Sequence, residues 1–239
     1  MIDLNETNDI DSPLETPGSI AVIGGGIVGV EAALYGRYLG YRVSLFEAGR
    51  IGASSIDAGD EPLPMLPDRS FSPLAASAIA AQSLDRPAAL PVTRAGWAEQ
   101  ILLPLTRVDL LRGNVHAETP VASIGLVPVD IEDGESPEND TENDTENDAE
   151  EVPPDFELRF GGDRPAESFE AVLVAIDDAK TLSAIGLEFE TPAAYFFPVQ
   201  RGETGNAEAD FALALQRIVA VYSNLADRGD LDLYAPRRG

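Results

Sequence analysis

Three features of this 239-residue chain predict an α/β fold built on a parallel sheet. Two short apolar runs, residues 20–23 and 43–46, flank a glycine turn and a helix-length stretch. A third run, residues 171–176 (AVLVAI), is apolar throughout, as in parallel strands buried on both faces. Hydrophobic residues make up 44% of the chain, enough for the core of one α/β domain.

Residues 20–47 read IAVIGGGIVGVEAALYGRYLGYRVSLFE: strand, glycine turn, helix, strand, acid. This is the order of a dinucleotide-binding unit, and each residue type has a physical reason. Gly24 permits a tight turn off the first strand, and Gly26 has no Cβ, so backbone can approach a pyrophosphate. Gly29 allows helix and strand to pack closely. The helix N-terminus, with Ile27 and Val28 nearest, offers unpaired N–H groups and the positive end of its dipole to phosphate. Glu47, 21 residues beyond Gly26, is placed to accept both hydroxyls of an adenosine ribose and to repel a 2′-phosphate, which disfavours NADP. Arg50, three residues on, is a candidate to stack on adenine or reach a phosphate.

The remaining elements follow in order. Residues 1–17 are polar, with five acids, no base and two prolines, and read as a disordered acidic lead to a single domain over 18–239. Residues 48–92, rich in Ala, Ser and Pro, read as a long loop with one short helix near 74–81. Thr93 is placed to cap a helix through Trp97, Ile101 and Leu102, interrupted at Pro104, with a further turn to Leu111. Residues 115–119 read as a third strand of the main sheet. Residues 121–131 and 156–160 read as half-buried strands, the second followed by a Gly-Gly-Asp turn. Residues 168–176 lead into the apolar strand, 194–199 form another, and a helix over 207–227 is capped by Asn206 and closes near Gly229. Within 132–154, the segment ENDTENDTEND repeats every four residues and has no apolar side chain, so it reads as a disordered acidic loop. It lacks the residue spacing of a calcium loop, and its Asn-x-Thr sequons have no secretory context.

Composition excludes several functions. The formal charge is −26, but the seventeen acids in residues 1–17 and 130–151 account for most of it and leave −9 elsewhere. Neither nucleic acid nor an anionic membrane surface finds a basic patch on such a chain. With no cysteine, disulfides, thiolate metal sites and dithiol redox chemistry are excluded, and one histidine, His116, leaves little scope for a histidine metal site or a catalytic triad. No metal site is expected. The N-terminus lacks the basic and apolar regions of a secretory signal, and no apolar run is long enough to span a bilayer, so a soluble cytoplasmic protein is expected. Glu31 reads as a surface residue of the first helix, His116 as a strand residue, and Tyr35, Tyr38 and Tyr41 as one packing side. No pair of acid and base reads as catalytic, so no catalytic residue is assigned.

The order of these pieces resembles the FAD-binding domain of the glutathione-reductase-like flavoproteins. GGGIVGVEAA through LFEAGR is similar to their first FAD motif. HAETPVASIG resembles their third-strand segment, in which a valine backbone, here Val121, lies against adenine. FEAVLVAI resembles the strand that in the family ends in Ala-Thr-Gly; here Asp177 stands in place of the glycine and would put a negative charge near the pyrophosphate unless it turns away. The late Gly-Asp motif of the family and a second glycine motif for an NAD(P)H domain are not evident. The resemblance implies a shortened, divergent member: a Rossmann-like FAD/NAD(P)-binding parallel sheet with an antiparallel three-stranded crossover. It implies FAD as cofactor, with substrate or an external partner as reductant. Two alternatives stand beside it, an NAD-binding Rossmann protein and a non-catalytic descendant that keeps the fold without the reaction.

Overall fold

The computed structural model describes residues 17–82, 89–127 and 153–235. The expected acidic lead up to residue 16, and the acidic loop through residue 152, lie outside the described residues.

Strand β1 (Ser19–Ile23) enters the glycine turn, helix α1 (Ile27–Tyr38) returns, and β2 (Arg42–Phe46) lies parallel to β1, with Ile20 opposite Val43 and Ile23 opposite Phe46. An excursion follows, with α2 (Ala53–Asp57), α3 (Pro73–Ala81), α4 (Arg94–Trp97) and α5 (Leu103–Leu105). Strand β3 (Val115–His116) then joins β2. Strands β4 (Val121–Val127), β5 (Asp155–Phe160) and β6 (Glu167–Phe169) pair antiparallel in a second sheet. Strand β7 (Ala171–Val174) returns to the main sheet beside β1, and α6 (Ala179–Ser183), β8 (Gly186–Leu187), β9 (Phe196–Pro198) and α7 (Ala207–Leu225) complete the order.

The main sheet is parallel, in the order β3-β2-β1-β7-β9. This is the Rossmann-like class that the sequence predicts. Strand order reverses between β1 and β7, which opens a crevice at their carboxyl ends. Both faces of the sheet are covered. Along β1, Ile20 and Val22 pack into the helical core with Leu34, Leu45, Trp97 and Ile218, whereas Ala21 and Ile23 pack with Phe46, Phe156 and Phe169 under the second sheet. Such two-sided burial is why residues 20–23 and 171–174 carry no polar alternation.

The structure revises several expectations. The third strand stops at His116, because Glu118 takes a left-handed φ of 53° and the amides of Glu118 and Thr119 reach instead to the carbonyls of Gly49 and Glu47. The stretch 168–176 divides at Glu170, where the chain leaves the second sheet for the main one, and the Glu170 carboxylate accepts from Ser19 N and Oγ at 3.2 Å. Strand β8 pairs parallel with β4, adding a fourth strand to the expected three. Pro104 does not break its helix. The turn over Ala98–Leu102 widens to π geometry ahead of it, which relieves the collision of a proline ring with the carbonyl four residues back. Thr93 and Asn206 cap as expected, each through its side-chain oxygen.

The largest correction concerns Glu31, which is fully buried. A helix-surface reading from local pattern fails because Ser72 arrives from 41 residues away: its amide donates to Oε1 at 2.8 Å and its hydroxyl to Oε2 at 2.7 Å. That hydroxyl also accepts from Ala75 N as the N-cap of α3, so one carboxylate fastens α3 to α1. On the same side, Tyr35 stacks on Tyr222 at 5.1 Å, and Tyr222 donates to the Ala32 carbonyl at 2.9 Å, docking α7 onto α1. Tyr35 and Tyr41 are buried, whereas Tyr38 is exposed.

Two predictions follow from this packing. Burial, partly offset by the Ser72 hydrogen bonds, raises the Glu31 carboxyl from its ordinary 4.5 to about 7. Below pH 4.5 it is protonated in both folded and unfolded states; between the two values only the folded state holds the proton. Its contribution is therefore full below pH 4.5 and is lost as pH rises through 7. In urea melts, Glu31→Gln should remove a decline on the order of 3 kcal/mol across that window; parallel pH profiles for both proteins would contradict this. Separately, a Cβ at Gly29 would lie 1.8 Å from the Gly24 carbonyl oxygen, whereas one at Gly26 meets nothing within 4 Å. Gly29→Ala should cost about 3 kcal/mol or more and Gly26→Ala less than about 1 kcal/mol; equal midpoints would refute the difference.

Candidate functional site

The crevice at the carboxyl ends of β1, β2 and β7 is a cleft of about 680 Å³. It begins at the glycine turn. Gly24 has φ of 115°, a conformation that L side chains rarely adopt, and a Cβ there would meet the Ala175 carbonyl oxygen at 2.4 Å. Its amide donates to the Phe46 carbonyl at 2.8 Å, tying β1 to β2 at the turn. Gly26 is the N-cap of α1; it is exposed, and no side chain caps the helix. The first helical amides therefore face solvent or a ligand. Gly29 packs on the Gly24 carbonyl and the Ala175 methyl, which sets the closeness of helix and strands.

Glu47 stands at the end of β2 and folds back over the turn. Its Oε2 accepts from Gly25 N at 2.6 Å and its Oε1 from Gly49 N at 2.9 Å. The middle glycine, which the sequence reading left without a role, makes this possible: a Cβ at Gly25 would come within 2.8 Å of the Glu47 Cβ. A carboxylate has about four acceptor positions, so two remain for a ligand's hydroxyls.

The structure gathers Gly24, Gly26, Glu47, Arg50 and Val121 around this one cleft. Val121, nearly buried at the start of β4, forms part of its far wall. Arg50 reaches outward, its Nη2 donating to Asp57 Oδ1 at 2.8 Å on the surface. Ile27 lines a neighbouring cavity of about 280 Å³, bounded also by Met65 and Trp97. The side chain of Val28 is buried in the helical core and lines neither space. His116 lies outside the cleft, its ring stacked on Phe46 at 5.0 Å; burial and then Arg164 lower its pKa below the ordinary value.

Two further residues border both cavities, together with Ser54: Asp177 and Arg201. Asp177 Oδ1 accepts from the Arg201 amide at 3.0 Å, and Oδ2 lies 3.2 Å from the Arg201 Nε. Arg201 was not singled out from sequence. The available signal was its place just beyond the fifth parallel strand, because ligands of open α/β sheets sit at strand carboxyl ends. A separate cavity of about 500 Å³ lies at the amino end of the sheet, beside Ser19, Tyr41 and Glu170. It lacks a glycine turn, and the Glu170 carboxylate is already held by Ser19. Among the described residues, no helix is long and apolar enough to cross a membrane, and no group of three or more His, Cys, Asp or Glu side chains is placed to hold a metal ion.

No family model matches the chain, and no curated protein matches it. Among solved structures, it is similar to a steroid monooxygenase solved with NADP, with 22% identity, 67% of this chain and 26% of that one covered, and a TM-score of 0.44. It is similar also to the bacillithiol disulfide reductase of Staphylococcus aureus, with 15% identity, 66% and 37% coverage and a TM-score of 0.39. A third is the thioredoxin reductase of T. acidophilum, with 12% identity, 66% and 34% coverage and a TM-score of 0.36. The chain thus spans between a quarter and two fifths of the length of these proteins. At such identities, activity, substrate and cofactor have to be argued from the chain's own residues.

Proposed function

We propose that the cleft binds the ADP portion of FAD and that the chain is an FAD-binding oxidoreductase-like protein. The observation that carries this is a convergence on one cleft: an uncapped helix N-terminus, a glycine with open space where its Cβ would stand, and a carboxylate at the end of β2. In this reading the glycine turn and the first turn of α1 hold the pyrophosphate through backbone amides. Glu47 keeps its two amide bonds and accepts the ribose hydroxyls on its remaining lone pairs. The same carboxylate repels a 2′-phosphate. Val121 lies against the adenine. The 280 Å³ cavity beside Ile27 and Trp97 shares Ser54, Asp177 and Arg201 with the cleft, and in this reading it offers space for the rest of a dinucleotide. The flavin, when bound, supplies the redox chemistry; the protein's part is to bind and orient it. The second sheet, set over β1, β2 and β7, supplies the Val121 wall against adenine, a part that FAD and NAD share. The choice of FAD over NAD rests on the resemblance of the crossover strands to the FAD-binding domain of the flavoproteins. Substrate and reductant are not specified by any side chain, and no acid-base pair in either cavity is assigned a catalytic role.

The test is the visible spectrum of the full chain purified without added cofactor, followed by titration with FAD, NAD and NADP. A flavin spectrum or saturable FAD binding is expected, with NADP bound at least about tenfold more weakly than NAD. Wild-type protein that binds none of the three would overturn the proposal. Gly26→Asp supplies the internal control. Aspartate is a favoured N-cap and meets open space there, so the melting temperature should hold or rise. Its charge against the pyrophosphate should weaken FAD by at least about tenfold. Undiminished binding by this variant would place the ligand elsewhere.

A further inference from the structure

Beyond the end of strand β7 the chain continues through Ala175 and Ile176 to Asp177, which places an acid on the boundary between the two cavities. An anionic ligand crossing from one to the other passes this point. Arg201 faces it, and the pair is half exposed, with side-chain exposures of 49% for Asp177 and 38% for Arg201. The contact is an ion pair but not an aligned one: the Arg201 Nε is buried, 3.2 Å from Oδ2, and makes no hydrogen bond.

The other arginines lining these cavities differ. Arg50 donates to Asp57 at 2.8 Å and Arg94 donates to Glu61 at 3.1 Å. Arg201 is the cation of the three whose Nε is buried without a hydrogen bond among the described residues, while its backbone is anchored from both sides. Its amide is held by Asp177, and its carbonyl accepts from Arg217 at 3.2 Å. A fixed backbone whose guanidinium faces the carboxylates of Asp177 and Asp210, with no hydrogen bond holding its Nε, is suited to exchange them for a phosphate, whose paired oxygens match the fork.

We propose that Arg201 is the pyrophosphate-binding cation of this site and that Asp177 is its resting counter-ion, displaced from the guanidinium when a diphosphate arrives. The assignment rests on the dinucleotide reading of the cleft. It accounts for an acid where that reading calls for a small neutral residue. Asp177 lowers affinity for diphosphates without abolishing it, because each ligand must compete with it for one guanidinium. The ligand class is a nucleoside diphosphate or a dinucleotide built on one; an unphosphorylated nucleoside gains nothing from Arg201.

The experiment is calorimetric titration of ADP, at low and high salt, into the full-length wild type and the Arg201→Gln, Arg201→Lys and Asp177→Asn variants. Adenosine is measured by competition, and a thermal melt is run on each protein. Arg201→Gln should weaken ADP by about tenfold or more, flatten its salt dependence and leave adenosine unchanged. Arg201→Lys should recover part of the loss. Asp177→Asn should tighten ADP several-fold. Wild-type binding of ADP that Arg201→Gln does not alter would overturn the assignment while leaving the dinucleotide reading intact. An equal loss of ADP and adenosine would also overturn it, because that marks a structural role. Failure of all four proteins to bind ADP would overturn both. Binding that appears only in Asp177→Asn would support the counter-ion role.

Discussion

Helix α1 begins where it does because Gly29 lets its first turn rest directly on the carbonyl of Gly24. There is no side chain between them and no space for one. This backbone contact sets how deeply the helix sits against β1 and β7, and with it where the uncapped amides point. Gly24 in turn needs its positive φ so that its carbonyl can meet Gly29 while its amide reaches Phe46. A side chain at Gly24 would collide with the chain leaving β7, and one at Gly25 with Glu47, but one at Gly29 would move the helix relative to the sheet. The rest of the helical layer depends on that position. Glu31 fastens α3, and Gly36 admits Tyr222 and thereby α7, both from the same α1.

Charge at the cleft is balanced locally rather than by an excess of cations. Glu47 is held by two backbone amides, Arg50 by Asp57, and Asp177 by Arg201. An anion entering this site relies on helix amides and on whichever cation can change partners. Arg50 is engaged by an aligned bond on the exposed rim, where a surface pair is worth less than about 1 kcal/mol. Arg201 stands at the boundary between the cavities, on a chain segment fixed by Asp177 and Arg217. The second sheet closes one side of the same space. Its core of Phe156, Leu158 and Phe169 packs on the face of β1 and β7 that the helices leave free.

Much of this architecture was legible in the sequence because its causes are local. Glycine spacing, an apolar run buried on both faces, and caps at Thr93 and Asn206 each declare themselves within a few residues. What was not legible depends on partners distant in sequence. Glu31 looks like a helix-surface acid until Ser72 arrives 41 residues later. The division of residues 168–176 between two sheets depends on Glu170 bonding to Ser19, 151 residues away. Strand β8 is two residues long and exists through its pairing with β4. At the site, the glycines and Glu47 could be named from their spacing. Arg50 could be named but not aimed, and Arg201 has no local pattern to mark it. The role of Gly25 emerged only when the Glu47 side chain was seen lying over it.

The most direct measurement is backbone amide NMR of the full chain during titration with ADP. The central claim is that this ligand sits on the glycine turn and the first turn of α1, under the Glu47 carboxylate. The largest shifts should therefore fall on Gly25, Gly26, Ile27, Val28 and Gly49, with smaller ones at Val121 and Arg201. Saturable shifts concentrated at the amino end of the sheet, around Ser19 and Glu170, would contradict the claim, as would a spectrum that ADP does not change.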